Sequence, residues 1–269
     1  MSEKPSRYEL LAKKKKKGKP RRKNKKFKDR LPNELIYIPN PDKHDHESWH
    51  KNRNIASFPR PFRMILAGGR GSGKTNTAKN ILLRQKWDNM YLVHVDRRSK
   101  EWDDFGIPEE NRFDTIPNLA AFEHEGKSAI IIEDWEIPTK SKQQNLSKLF
   151  RFASTHLNIS VLMLYQDLLK IPTICRRVSN IFCIWKIPDR NQLNFAGKRI
   201  GLEKGELPEM LDALCPNTRD FLCFDMTQDT PYPIRKNLFQ KVTKVSDIEC
   251  DFEVDYEAEE PSKRKKLDK

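Results

Sequence analysis

The sequence predicts an α/β fold, a mainly parallel central sheet with helices on both faces, and three observations predict it. The stretch Pro61 to Leu83, PFRMILAGGRGSGKTNTAKNILL, passes from an apolar run through a glycine-rich turn into residues spaced for a helix. Ser128 to Asp134, SAIIIED, is apolar until it ends in two acids, as expected of a strand buried on both faces. Further short apolar runs alternate with helix-spaced segments downstream, which is the rhythm of strands joined by crossover helices.

The first of these stretches carries chemistry. Gly68, Gly73, Lys74 and Thr75 fill the fixed positions of G-x-x-x-x-G-K-[ST], a loop whose backbone N–H groups wrap a polyphosphate. Gly69 and Gly71 add backbone freedom, and the whole run from Gly68 through Gly69, Arg70, Gly71, Ser72, Gly73, Lys74 and Thr75 to Asn76 is the expected cradle. Lys74 is placed to meet the β- and γ-phosphates and Thr75 to hold Mg²⁺, with the positive end of the helix dipole facing the anion. ATP with Mg²⁺ is the expected ligand.

Composition bounds the rest. The 269 residues suffice for one ordinary α/β domain with tails, and the net charge of +14 is unevenly placed. Residues 1–30 hold 15 Lys or Arg against 3 Asp or Glu, an excess of 12, so the other 239 residues share about +2. A basic arm of this kind fits a nuclear import signal or a sequence-independent phosphate contact, and a solubilising tail asks for no more than the same clustered cations. Five scattered cysteines without a C-x-x-C pair point to a reducing compartment and to thiols used as small core residues. No apolar run reaches membrane-spanning length, and no hydrophobic region follows the N-terminal lysines.

In chain order, residues 1–30 read as a disordered basic arm, 31–59 as a linker or N-terminal extension, 60–240 as the catalytic domain and 241–269 as an acidic, then basic, tail. His44, His46 and His50 in the linker lack cysteine partners and zinc-site spacing, so a solvated linker is the reading. Asn89 to Val95 is a strand, Arg97 to Asn111 a polar surface excursion, and Leu119 to Phe122 a short helix. After the strand at 128–134 comes a single helix from Thr139 to His156. Its polar and basic start suits either a DNA backbone or water. Asn158 to Tyr165 is a strand with Gln166 at its tip, where an amide can hydrogen-bond both a γ-phosphate and a lytic water. Arg176 and Arg177 precede the strand Ile181 to Lys186, and one of them, Arg177 by preference, is a candidate arginine finger for a neighbouring subunit. Helices at 189–199 and 208–214 and a strand at 220–225 follow, and Pro231 to Lys236 closes the folded part. Acids alternate with apolar residues from Asp247 to Glu257, a strand period or an acidic tail. Pro261 to Asp268 is a basic cluster resembling a nuclear import signal.

The order of phosphate loop, acid-tipped strand, polar strand tip and arginine resembles P-loop NTPases that carry an extra strand between the two Walker strands. HLNISVLMLYQ, then P-x-x-x-R-R, then IFCIWK resembles more narrowly the genome-packaging ATPases of poxviruses, other large DNA viruses, virophages and Polinton-type elements, a branch of the FtsK–HerA superfamily. The resemblance spans roughly Arg60 to Lys236. It implies a RecA/FtsK-like fold, Lys74 and Thr75 as Walker A residues, Glu133 and Asp134 as the Walker B pair, Gln166 as sensor and Arg176 or Arg177 as finger. Read by position, Glu133 takes the metal and Asp134 the water, the reverse of the common Asp-then-Glu order. The resemblance further implies a ring of five or six subunits that drives double-stranded DNA into a viral capsid or portal-like vertex, at a host nucleus or viral assembly site or in the virion. A nucleotide or nucleoside kinase would need an acceptor pocket and an arginine-rich lid, and neither is evident. A structural nucleic-acid-binding protein would use the basic arm and keep a nucleotide site only to stabilise the fold; an intact Lys74 and Thr75, together with Glu133 and Asp134, argue against a decayed site.

Overall fold

A computed structural model describes residues 56, 58–122, 126–133, 135, 140–227, 233–244 and 252–255, with backbone alone at 140–142, 243–244 and 252–255. The chain divides into 1–43 and 44–269, and every described residue lies in the second unit. The expected basic arm, the histidine linker and the C-terminal basic cluster lie outside the described residues.

Ten strands form one sheet: β1 (Arg63–Ala67), β2 (Asn89–His94), β3 (Arg112–Phe113), β4 (Ser128–Glu133), β5 (Ile159–Tyr165), β6 (Ile181–Trp185), β7 (Phe221–Asp225), β8 (Ile234–Lys236), β9 (Gln240–Lys244) and β10 (Phe252–Asp255). Their spatial order is β10-β9-β8-β7-β6-β1-β5-β4-β2-β3. From β3 to β6 every pairing is parallel; β7 to β10 add an antiparallel extension. β5 lies between β1 and β4, pairing Ala67 with Tyr165 on one side and Leu164 with Glu133 on the other. The strand carrying the phosphate loop and the strand carrying the acids are therefore separated by one strand.

The side-chain alternation of β1 explains the layers. Met64 and Leu66 pack with Ala78, Ile81 and Leu82 of α1 (Lys74–Leu82) on one face. Ile65 and Ala67 join the opposite core. That core is covered by α2 (Lys140–Lys148), α4 (Thr173–Val178), α5 (Arg190–Arg199) and α6 (Glu206–Leu214). In β4, Ile130 and Ile132 enter this second core and Ile131 the first, all three with no exposure. Burial of each contributes roughly 1.5–3 kcal/mol, which is why a strand covered on both faces is a continuous apolar run.

Four local expectations are corrected. The segment 97–111 is folded: 3₁₀ turns at Lys100–Phe105 and Glu109–Asn111 carry the fully buried Trp102. Its charged residues face water, while Trp102 and Ile107 pack beneath α1 and β4. The helix expected over 139–156 is α2, then a π turn at Leu149–Ala153, then α3 (Ser154–His156). At that turn the Arg63 guanidinium reaches the Phe150 carbonyl, 3.4 Å from Nη1, where the widened ring leaves it accessible. The sixth helix starts two residues before Pro208, at Glu206, because proline is tolerated in a first turn, where N–H groups have no helical acceptor. The sheet also continues past Lys236, for β9 turns back on β8 and β10 on β9, so Phe252–Asp255 takes the strand option of the alternating segment.

The four described cysteines, Cys175, Cys183, Cys215 and Cys223, are free and buried, as core thiols should be. Burial pushes the Cys175 and Cys215 thiols up to about 12.

Candidate active site

The site begins where β1 ends. Gly68 N donates to the Tyr165 carbonyl at 3.2 Å, so the loop leaves the sheet still attached to β5. A Cβ on Gly68 would stand 2.8 Å from Trp185 Cβ and 2.9 Å from Ser72 Oγ, which leaves glycine as the residue that fits. Gly71 and Gly73 hold φ of 73° and 100°, in the left-handed region that favours glycine. α1 then starts at Lys74 with no side-chain cap and no acid in its first turn. Its first N–H groups and dipole are thereby directed at the loop's concavity.

Within the loop, Lys74 Nζ donates to the carbonyls of Gly68 and Gly69, both at 2.9 Å. Lys74 is only 9% exposed, so its charge is held inward. Ser72 Oγ is buried and has no hydrogen-bond partner. Standing next to Gly68, this hydroxyl is open to a polar ligand in the loop. Arg70 and Asn76 are exposed on the loop and the first turn of α1.

The second half comes from β4. Thr75 Oγ1 donates to Glu133 Oε1, which joins the phosphate loop to the tip of the acid-bearing strand. The other carboxylate oxygen, Oε2, accepts from the Trp102 indole Nε1 at 2.7 Å. Glu133 is 5% exposed. Asp134 lies outside the described residues. Gln166 follows Tyr165 directly and is exposed at the carboxyl edge. Because β5 lies between β1 and β4, the register brings Gln166 level with Gly68 on one side and two residues beyond Leu164, the partner of Glu133, on the other. Tyr165 Oη donates to the Trp135 carbonyl at 2.7 Å, fixing the tip of β5 to the segment after β4.

The two arginines part company. Arg176 is held within its own subunit: Nη1 donates to the Leu168 carbonyl at 2.9 Å, Nη2 to Thr173 Oγ1 at 3.1 Å, and its guanidinium lies 4.4 Å from the Phe195 ring centre. Burial lowers its pKa. Arg177 is exposed on the last turn of α4. Three residues later Asn180 closes on Arg63 at the start of β1, accepting from Arg63 N at 2.8 Å. Arg177 thus belongs to the amino edge of the sheet, whereas the phosphate loop leaves the carboxyl edge. Five strand residues separate the two edges, roughly 16 Å at 3.3 Å per residue.

The donors fit the expected ligands. A threonine hydroxyl and a carboxylate are hard oxygen donors, suited to Mg²⁺. Among the described residues no group of three or more His, Cys, Asp or Glu forms a self-contained metal site. A partial set suits Mg²⁺ in particular, which usually keeps several waters and takes further ligands from phosphate. Trp102, Tyr165 and Trp185 are the site residues that the sequence reading missed. For Trp102 a signal existed, since Trp102 and Phe105 sit one helical turn apart in a stretch of charges, with Ser99 before them accepting from Glu101 N at 3.4 Å.

No family model matches the sequence, and no curated protein matches it. Solved structures do. The genome packaging NTPase B204 from Sulfolobus turreted icosahedral virus 2, in complex with sulfate, is 16% identical across 65% of this chain and 96% of that one, with a TM-score of 0.49. The DNA-packaging ATPase B204 from Sulfolobus turreted icosahedral virus is 15% identical across 64% and 95%, TM-score 0.49. The pCW3 conjugation coupling protein TcpA, a monomer with ATPγS, is 15% identical across 62% and 58%, TM-score 0.35. Likeness at this level concerns architecture alone, and the sheet order already gives the architecture.

Proposed function

We propose that this protein is an ATP-hydrolysing motor that moves double-stranded DNA, packaging it into a viral or virus-like capsid. The observation that carries the nucleotide half of this reading is the hydrogen bond from Thr75 to Glu133, which brings a phosphate loop and a strand-tip carboxylate to one point. The order of the motifs along the chain supports the narrower reading.

On this reading Lys74 leaves the Gly68 and Gly69 carbonyls for the β- and γ-phosphates when ATP enters, and the N–H groups of the loop and of α1 take the remaining charge. Thr75 and Glu133 hold Mg²⁺, which when bound neutralises phosphate charge and orients the γ-phosphate. Glu133 or its neighbour Asp134 accepts the proton of the attacking water. Gln166, at the tip of β5, orients that water and registers γ-phosphate loss. Arg177, too distant from its own loop, serves the site of the next subunit, which requires a neighbouring copy; a ring of five or six is the assembly that the family resemblance implies. DNA contacts fall on phosphates, made by loops that move with hydrolysis, so translocation is independent of sequence. The basic clusters at the two ends direct the protein to a host nucleus or viral assembly site.

ATP turnover with and without double-stranded DNA, measured beside assembly mass, tests this. Wild type is expected to hydrolyse ATP faster with DNA and to assemble, and Lys74→Ala to lose at least about 10²-fold in turnover. Full turnover by that variant would defeat the assignment. Phosphate transfer to a nucleoside without response to DNA would identify a kinase instead.

A further inference from the structure

Glu133 occupies the place where Thr75 needs an acid, yet it has one more rotatable bond than an aspartate and more side-chain freedom to lose on ordering. Its carboxylate is held from two sides. Oε1 accepts from Thr75 and Oε2 accepts from the Trp102 indole at 2.7 Å. An indole N–H is a donor only, carries one hydrogen in a fixed direction in the ring plane and cannot rotate to another partner. Trp102 thus selects one carboxylate oxygen and leaves the other facing the phosphate loop.

The indole is itself held firmly. It is fully buried, its six-residue 3₁₀ turn is tied to the rest of the segment by Arg112, and that guanidinium has three partners. Arg112 donates to Ser99 O at 3.1 Å, Ile107 O at 3.1 Å and Asp103 Oδ1 at 2.9 Å. Phe105 packs beside the indole with ring centres 5.7 Å apart, and Lys79 of α1 stands 5.5 Å over the ring. Tryptophan, turn and α1 form one block, with Glu133 at its inner end.

We infer that Trp102 is a positioning residue that presents Glu133 as a one-oxygen ligand to the cation shared with Thr75. The inference rests on the nucleotide site proposed above. Its indole N–H is directed at Glu133, and it acts through that carboxylate. Partners that orient a metal-ligating side chain typically affect metal affinity ten- to a hundred-fold when removed.

Trp102→Phe keeps the apolar ring and removes the donor. In the full-length protein, Mn²⁺ binding is read by its paramagnetic signal in the presence of saturating ATPγS, and ATPγS affinity is read separately in EDTA. The variant is expected to need on the order of ten-fold more Mn²⁺ for half-saturation, with metal-free ATPγS affinity within about two-fold of wild type. Identical Mn²⁺ curves would overturn the inference, and so would equal losses in both measurements, which mark general damage. A wild type that takes up no metal with ATPγS sinks the site itself, whereas a normal wild type beside an unaffected variant sinks only the role of Trp102. Should Trp102→Phe fail to fold, the indole N–H signals of ¹⁵N-labelled wild type carry the test. The indole signal that moves in Glu133→Gln is expected to move again when Mg²⁺ and ATPγS are added, and signals indifferent to both changes overturn the inference.

Discussion

Gly68 backs directly onto Trp185: a methyl group at the glycine would fall 2.8 Å from Trp185 Cβ and 3.0 Å from its Cγ. Trp185 cannot give way. Its ring stacks on Phe221 at 4.3 Å, and its Nε1 donates to the Arg219 carbonyl at 3.1 Å. Gly68→Ala must therefore displace the loop. The expected outcome is a stability loss of about 1–3 kcal/mol in urea titration, typical of overpacking, together with weakened ATPγS binding. Unchanged values for both would mean that the loop yields freely.

Arg177 and Arg176 should separate cleanly on substitution. Arg177→Ala is expected to lower ATP turnover by about 10³-fold or more while leaving thermal stability intact, as for a finger supplied in trans. Mixing it with Lys74→Ala subunits should restore part of the activity, because a mixed ring pairs an intact loop with an intact finger. Arg176→Ala should instead lower the melting temperature, since it removes the contacts to Leu168, Thr173 and Phe195. Turnover measurements on single and mixed samples, beside melting curves, decide it.

The ion pair Arg235–Asp225 lies wholly inside, Nη2 to Oδ2 at 2.6 Å with neither side chain exposed. It clamps β7 and β8, and the guanidinium also lies 4.6 Å from the Phe58 ring centre. Removing one charge strands the other. Asp225→Asn or Arg235→Met is expected to cost roughly 3–5 kcal/mol in denaturant unfolding, and the double replacement markedly less than the sum.

Asp220 gives the fold a pH dependence of known sign. Burial alone would raise its carboxyl, but hydrogen bonds from Asn237 and Asn217 and the Lys236 ammonium together outweigh that and hold it below the ordinary value. A depressed carboxyl contributes stability that is fully present above the unfolded-state value, about 3.9, and is lost as pH falls through the lower folded-state value. Acid unfolding of Asp220→Asn should therefore show less loss of stability below about pH 4 than wild type, as measured by urea midpoints across that range.

What the sequence determined by itself is what neighbouring residues decide together. The phosphate loop is legible because its function resides in a short backbone path, and Gly71 and Gly73 adopt the φ values their lack of a side chain permits. The buried strands are legible because covering on both faces demands an unbroken apolar run, as at Ile130–Ile132. Tertiary structure decided whatever depends on register and on distant partners. It placed β5 between β1 and β4, which brings Gln166 level with the loop and two residues past the partner of Glu133. It brought Trp102 to Glu133 across 31 positions of chain, out of a segment whose charges read as surface. It assigned Arg176 to internal contacts and left Arg177 exposed, although the two are adjacent and chemically alike. Local chemistry chooses the loop; the pairing of strands and the direction of each side chain choose what the loop meets.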